Sequence, residues 1–98
     1  MAAIRLEFHP DAVEEARAAR LRYAARSARA ADAFVQEIDT AVHKIQEAPQ
    51  RWPEYLHGTR HYLLRRFPFS IVYRVSGEMI QVLAVAHGKR RPGYWRAR

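Results

Sequence analysis

The strongest constraint on the fold is a run of three short apolar segments in the second half of the chain, at residues 60–66, 69–75 and 79–87. Each segment is rich in Ile, Val, Leu, Phe and Tyr, which are the residues favoured in buried strands. The dipeptide Ser76-Gly77 lies between the last two segments and suits a tight hairpin turn. The pattern therefore predicts three consecutive strands.

The first half of the chain has a different periodicity. Apolar and charged residues alternate over residues 4–8, which predicts a strand with one buried face. Pro10 and Ser27 suit the starts of two successive helices, and Pro49 ends the second. Residues 49–59 contain two prolines and a glycine and are predicted to form a loop. The predicted inner faces are Ala12, Ala16, Ala19 and Tyr23 in the first helix, and Phe34, Ile38, Ala41, Val42, Ile45 and Ala48 in the second.

The resulting order is β-α-α-β-β-β, which predicts an α+β fold with a helical hairpin packed on a small, mainly antiparallel sheet. We expect residues 1–98 to form a single domain. The absence of cysteine excludes disulfides and thiolate metal sites and fits a reducing cytoplasm. No apolar run has the length of a signal peptide or a membrane span, so we expect a cytoplasmic protein without a membrane partner.

Positive charge is concentrated in the second half of the chain. Residues 1–48 hold 7 Lys and Arg against 8 Asp and Glu, whereas residues 49–98 hold 10 against 2. The formal charge of +7 is therefore directed, and it favours contact with a polyanion or with an acidic arm of another protein. A solvated basic face without a partner is the alternative.

The sequence lacks the motifs of most common catalytic and metal sites. The five histidines form no i, i+4 pair on a predicted helix, the four glycines form no phosphate loop, and no serine lies in a G-x-S-x-G turn. We therefore expect no metal and no cofactor. Metal-free RNA cleavage remains, since it needs only two proton-transfer groups and cations that stabilise the phosphorane.

The candidate catalytic residues for such a cleavage are His87, Arg90 and Tyr94, near the end of the last predicted strand. Histidine and tyrosine can transfer protons, and arginine can clamp phosphate. The same residues would equally serve an acidic partner, and His87 alone is consistent with a structural role. Tyr94 and Trp95 either stack on bases or fold back over the sheet as a hydrophobic plug. The candidate contacts for a target or partner are Arg60, His61, Arg65, Arg66, Arg74, Lys89, Arg91 and Trp95.

Three segments have a recognisable order and spacing: the helix end I-x-x-x-P-x-x-W-P, the strand pair LLRRFPFSIVYRV and the closing VLAVAHGKRRPGYW. Together they resemble the RelE/ParE family of toxins from bacterial type II toxin–antitoxin systems, and the resemblance covers essentially the whole chain. It implies a cytoplasmic growth inhibitor held in a hetero-oligomer by a cognate antitoxin. Such antitoxins wrap the toxin and often add a strand at a sheet edge.

The family divides by target. RelE-like members are ribosome-dependent mRNA endonucleases, and that resemblance would give Arg90 the phosphate-stabilising role and Tyr94 the role of the catalytic tyrosine. Ser70, however, stands where these nucleases have arginine, and His61 and Leu63 stand where lysines are expected. Loss of several phosphate-facing cations costs orders of magnitude in rate.

ParE-like members share the fold, lack the nuclease residues and poison DNA gyrase. The missing arginine favours this branch, in which the basic tail is an interaction surface. Two alternatives stay open at this point: a RelE-like, metal-free endoribonuclease that acts on mRNA at the ribosome, and an inactive relative retained as antitoxin partner and co-repressor.

Overall fold

Two helices pack on one face of a five-stranded sheet in the computed structural model, which describes residues 4–98. The strand order is β1-β5-β4-β3-β2, with β1 parallel to β5 and the other neighbours antiparallel. The predicted α+β fold with a mainly antiparallel sheet is confirmed. The elements are β1 (Arg5–Phe8), α1 (Pro10–Ala24), α2 (Ala28–Glu47), β2 (Glu54–Tyr55), β3 (Thr59–Leu63), β4 (Phe69–Ser76) and β5 (Met79–His87).

Both helices begin at the residues that the sequence indicates. Pro10 is the first residue of α1, where its missing N–H costs no helical hydrogen bond. Ser27 caps α2, because its side chain accepts a hydrogen bond from the N–H of Ala30 at 3.1 Å. Pro49 follows the end of α2 and cannot continue it. Neither helix in the described part of the chain combines the length and apolar character that a bilayer crossing requires.

The main core lies between the helices and the sheet. Phe34, Ile45 and the inner residues of β4 and β5 are almost fully buried there. The hydroxyl of the buried Tyr73 donates to the carbonyl of Pro49 at 2.7 Å, so its polar end is satisfied. The predicted inner faces of both helices are confirmed as far as Ile45, and the half-buried Ala48 caps the end of α2.

The prediction of a loop at residues 49–59 is only partly correct. This region contains β2 and a short 3-10 turn at Leu56–Gly58, so four strands rather than three follow the helices. Two residues are too few to show an alternating pattern, and β2 forms because Glu54 and Tyr55 lie opposite the start of β3.

Two further boundaries differ from the prediction. β3 ends at Leu63 instead of residue 66, because the carboxylate of Glu37 accepts the N–H groups of Arg65 and Arg66 and withdraws them from the sheet. The hairpin turn is displaced by one residue, since Ser76 still pairs with Met79. Gly77 has a φ of 60°, which glycine adopts without strain.

A second, smaller core lies on the outer face of the sheet, away from the helices. An extra residue in β5 contributes to it. Val72 pairs with Ala84 and Tyr73 pairs with Val82, so Leu83 forms a β-bulge. Leu83 and Ala84 consequently both contribute to the outer face, where they pack with Trp95.

Candidate functional site

A groove of about 790 Å³ opens where the connection between α1 and α2, the β3–β4 connection and the end of β5 meet. Within residues 4–98, no acidic side chain lines it. We call it the basic groove; its cationic residues are Arg22, Arg26, Arg66, Lys89 and Arg90, joined by His87, and its aromatic floor is Tyr23, Phe67 and Phe69.

Glu37 fixes one side of the basic groove from behind. Its largely buried carboxylate accepts hydrogen bonds from the N–H groups of Arg65 and Arg66, and from Nε of Arg66 at 3.2 Å. Burial alone would raise the pKa of Glu37, but these donors outweigh it and leave the pKa below its ordinary value of 4.5. The charged carboxylate therefore holds the Arg66 guanidinium at the groove.

Glu15 fixes the opposite side by binding the C-terminal tail. Its carboxylate accepts the Tyr94 hydroxyl at 2.7 Å and two Arg98 nitrogens at 2.9 and 3.0 Å. It also accepts the N–H of Val85 at 3.0 Å, at the open edge of β5 beyond β1. The Arg90 guanidinium lies 3.7 Å from the centre of the Tyr94 ring and 3.6 Å from a Glu15 oxygen. We call Glu15, Arg90, Tyr94 and Arg98 the tail clasp.

The tail clasp includes Tyr94, which the sequence predicts as a candidate catalytic residue. Burial raises the pKa of Tyr94, and its hydrogen bond to Glu15 raises it further. Burial likewise acts to raise the pKa of Glu15, but hydrogen bonds from Arg98, Tyr94 and the N–H of Val85 leave it below 4.5. The Tyr94 proton is therefore held by a carboxylate that stays ionised.

The three candidate catalytic residues are only partly brought together. His87 and Arg90 line the basic groove, and Arg90 contacts Tyr94, but Tyr94 does not line the groove. Nδ1 of His87 accepts the N–H of Lys89 at 3.0 Å, and its ring lies edge-on to Phe69. Their assignment to catalysis stays a prediction.

The outer face of the sheet is covered by the tail. Gly93, with a φ of 85°, lets the chain turn back so that Trp95 packs over the sheet and stacks on Tyr55 at 5.4 Å. Trp95 is only 2% exposed. Of the two alternatives for this residue, the hydrophobic plug is the observed one, and burial leaves the side chain no surface for direct contact with a partner.

Beside this plug, the outer face carries few ionisable groups. Leu63 lies opposite Ser70, which lies opposite Ala86; we call these three residues the outer row. In the next row, His61 stacks on Tyr55 at 4.0 Å, and burial lowers the pKa of this histidine below its ordinary 6.5.

The other candidate contact residues are spread over the surface. Arg60 donates to the carbonyl of Trp52 at 2.7 Å and lies 3.7 Å from Glu54, so its charge is partly used within the fold. Arg74 reaches Gln81 at 3.4 Å. Arg65, Lys89 and Arg91 are exposed and make no side-chain ion pair within residues 4–98.

Arg22 and Arg26 are not among the site residues that the sequence predicts, and neither are Glu15 and Glu37. Both glutamates lie three residues after an inner-face residue and four before another, which places a carboxylate on an apolar helix face. That position was the available signal. The two arginines offered none, because only the folded chain brings them to the end of β5.

The helical hairpin on a five-stranded sheet, with its basic groove and folded-back tail, defines a small basic α+β protein of the kind found in bacterial toxin–antitoxin systems. The chain belongs to the family described as ParE toxin of type II toxin-antitoxin system, parDE, whose family model matches residues 6–92. The resemblance noted in the sequence is confirmed.

Individual relatives support this membership. Toxin ParE2 of Mycobacterium tuberculosis, in strains CDC 1551 / Oshkosh and H37Rv, is 34% identical over 55 residues, which is 56% of this chain and 52% of the relative. The chain thus spans about half the length of the curated relatives it matches. A solved structure described as the chromosomal ParDE TA system from P. aeruginosa has a TM-score of 0.75 at 27% identity, covering 87% of this chain and 96% of that one.

Proposed function

We propose that this protein is a toxin that arrests bacterial growth by ParE-like inhibition of DNA gyrase in the cytoplasm and is neutralised by a cognate antitoxin. Membership of the ParE family supports the toxin role and the pairing with an antitoxin. The single observation that carries the choice of gyrase over mRNA cleavage is the outer row of Leu63, Ser70 and Ala86.

The outer row bears on catalysis because RNA cleavage needs an acid, a base and cations around one phosphate. Leu63 and Ala86 can supply none of these, and the Ser70 hydroxyl is neither a cation nor a base near neutral pH. The Tyr94 proton is meanwhile held by Glu15. A toxin that acts by binding needs no such constellation, so its basic residues serve as contacts.

The test combines purified gyrase with induction of the toxin in cells. We expect the purified protein to inhibit supercoiling and to accumulate gyrase–DNA cleavage complexes, and we expect induced cells to show DNA damage signalling with intact mRNA 5′ ends. Codon-phased mRNA cuts that disappear in Arg90→Ala would instead establish the endonuclease. Absence of any growth effect, with antitoxin binding intact, would establish the inactive relative.

A further inference from the structure

We propose that the basic groove binds single-stranded DNA, with phosphates on its cationic walls and a base on its aromatic floor. The inference rests on the proposed function for the choice of DNA, because a gyrase cleavage complex contains cut strands that the toxin would meet. It adds a surface and a ligand chemistry to the contact with gyrase. The charge, the donors and the floor of the groove each support it.

The groove holds more positive charge than the fold uses. Five Lys and Arg side chains from three separate parts of the chain converge there, and no acidic residue within the described range lines it. Arg22, Arg26 and Lys89 form no ion pair within residues 4–98. Three positive charges therefore line the groove without a carboxylate partner, which is the electrostatic footprint of a surface that contacts phosphates.

Two of the guanidinium groups are held in place before any ligand arrives. Nε of Arg66 donates to Glu37 at 3.2 Å. Arg90 lies over the Tyr94 ring, 3.7 Å from its centre. Each guanidinium carries five N–H donors, so both keep donors for a phosphate group. Both also lose less conformational entropy on binding than free surface arginines would.

His87 adds a neutral donor to the wall at the end of β5. Its Nδ1 accepts the N–H of Lys89 at 3.0 Å, so the neutral ring carries its proton on Nε2. The Nε2–H group donates to no other group within residues 4–98 and is available to a phosphate oxygen. The groove thus offers charged and neutral donors but no carboxylate, a combination that suits a phosphodiester backbone.

The floor of the groove suits a nucleobase. Tyr23 and Phe67 are half-buried, and their rings lie edge-on to each other at 5.0 Å. Phe34, beneath them in the core, lies 5.3 Å from Phe67 and fixes its position. Every base has a π-face that can stack on such rings whatever the sequence. A base would cover apolar surface that phosphates alone would leave in water.

A single strand fits this arrangement better than a duplex. The bases of a duplex are paired and stacked inside the helix, so a base could reach the floor only by losing both contacts. The bases of a single strand are free of that cost. The cations also surround a concave groove rather than following a straight line, which favours a flexible strand.

The test measures binding of a fluorescent deoxythymidine octamer to the full chain at several salt concentrations. We expect the double variant Arg22→Gln/Arg26→Gln to bind the octamer about tenfold more weakly. Its slope of log affinity against log salt concentration should be shallower by about 1.4, since each phosphate contact to a single strand contributes about 0.7. The matched control, Arg20→Gln/Arg29→Gln, removes the same charge from exposed positions outside the groove and should change neither quantity appreciably.

The contribution of the base is tested with an octamer of the same charge that lacks its bases. We expect this abasic strand to bind about fivefold more weakly, because the stacking on the aromatic floor is lost. Phe67→Leu keeps an apolar side chain on the floor but removes the ring. It should therefore narrow the difference in affinity between the two strands.

Four outcomes would overturn the inference. Equal losses in both double variants would indicate unspecific charge attraction, and equal affinity for the abasic strand would exclude the base. Equally tight binding of deoxythymidine triphosphate would identify a mononucleotide site, and tighter binding of a uridine octamer would identify an RNA site.

The same protein is assayed in parallel for inhibition of gyrase supercoiling, which separates this inference from the proposed function. A chain that inhibits gyrase but ignores the octamer refutes this inference alone. A chain that binds the octamer through the groove without inhibiting gyrase refutes the proposed gyrase target and leaves the groove a DNA-binding site.

Discussion

At the scale of single residues, two glutamates on otherwise apolar helix faces organise the arginine-rich parts of the molecule. Glu15 binds the tail, and Glu37 binds the β3–β4 connection. Each carboxylate is largely buried but is surrounded by several N–H or O–H donors, which keep it ionised. Removing either charge would leave arginines without the partner around which they are arranged.

We expect Glu15→Gln to lower the free energy of unfolding at neutral pH by about 2 kcal/mol, because hydrogen bonds to a charged group are lost. The pKa of Glu15 is depressed in the fold, so the unfolded chain binds the proton more readily. Its stabilisation is present above the ordinary 4.5 and is lost as pH falls through the lower folded pKa. Urea unfolding across the acid range should therefore show a shallower pH dependence in the variant.

The matched control for this prediction is Glu14→Gln. Glu14 is the preceding residue and pairs with Arg17 in solvent, so its replacement should change stability very little. Equal effects of the two substitutions would mean that the tail clasp contributes nothing beyond surface charge.

A second prediction concerns His61 on the outer face. Burial lowers the pKa of this histidine, and the Tyr55 ring, stacked 4.0 Å away, covers it. We expect Tyr55→Ala to raise the His61 pKa towards 6.5, since water regains access to the imidazole. Tyr55→Phe keeps the ring and should leave the pKa unchanged. An NMR titration of the imidazole protons measures both, and an unaltered pKa in the alanine variant would contradict the explanation.

At the scale of elements, the long periodic segments are predictable and the short ones are not. α1, α2, β4 and β5 follow from their apolar spacing and from their caps. β2 has two residues and exists only because it lies opposite β3. The end of β3 depends on a carboxylate 28 residues earlier in the sequence, which no local pattern can reveal.

We expect Glu37→Gln to loosen the β3–β4 connection while the two strands remain paired. The amide protons of Arg65 and Arg66 should exchange with solvent about tenfold faster or more, because their charged acceptor is gone. Hydrogen exchange followed by NMR measures this directly. Glu47→Gln changes an exposed glutamate at the end of the same helix and serves as the control. Unchanged exchange at both amides in the Glu37 variant would refute the anchoring role.

At the scale of the whole molecule, the sheet separates a large core beneath the helices from a small one beneath the tail. The concentration of charge in the second half was predictable, but the composition of the basic groove was not. Arg22 and Arg26 line the same groove as Lys89 and Arg90 only because β5 ends beside the connection between α1 and α2. The two pairs lie more than 60 residues apart in the sequence, so no local pattern predicts that they share a groove.

We expect Trp95→Ala to destabilise the protein by about 3 kcal/mol, because it empties the centre of the outer core. Trp95→Phe should cost less, since the buried indole N–H has no hydrogen-bond partner among the described residues and its removal leaves nothing unsatisfied. Arg96→Ala, at the exposed neighbouring position, is the control and should be nearly neutral. Denaturant unfolding ranks the three, and a neutral Trp95→Ala would show that the tail does not contribute to the core.

The tail clasp also has a consequence for the order of events during synthesis. Glu15 leaves the ribosome before Arg98, its bidentate partner, which lies 83 residues later. Until Arg98 arrives, the Glu15 carboxylate lacks its two guanidinium hydrogen bonds, and the Leu83 carbonyl of β5 lacks the guanidinium that donates to it. Closing so long a loop is slow relative to forming a helix. A nascent chain can thus hold its secondary structure without its final surface, and the groove wall formed by Arg90 is completed only when the tail folds back.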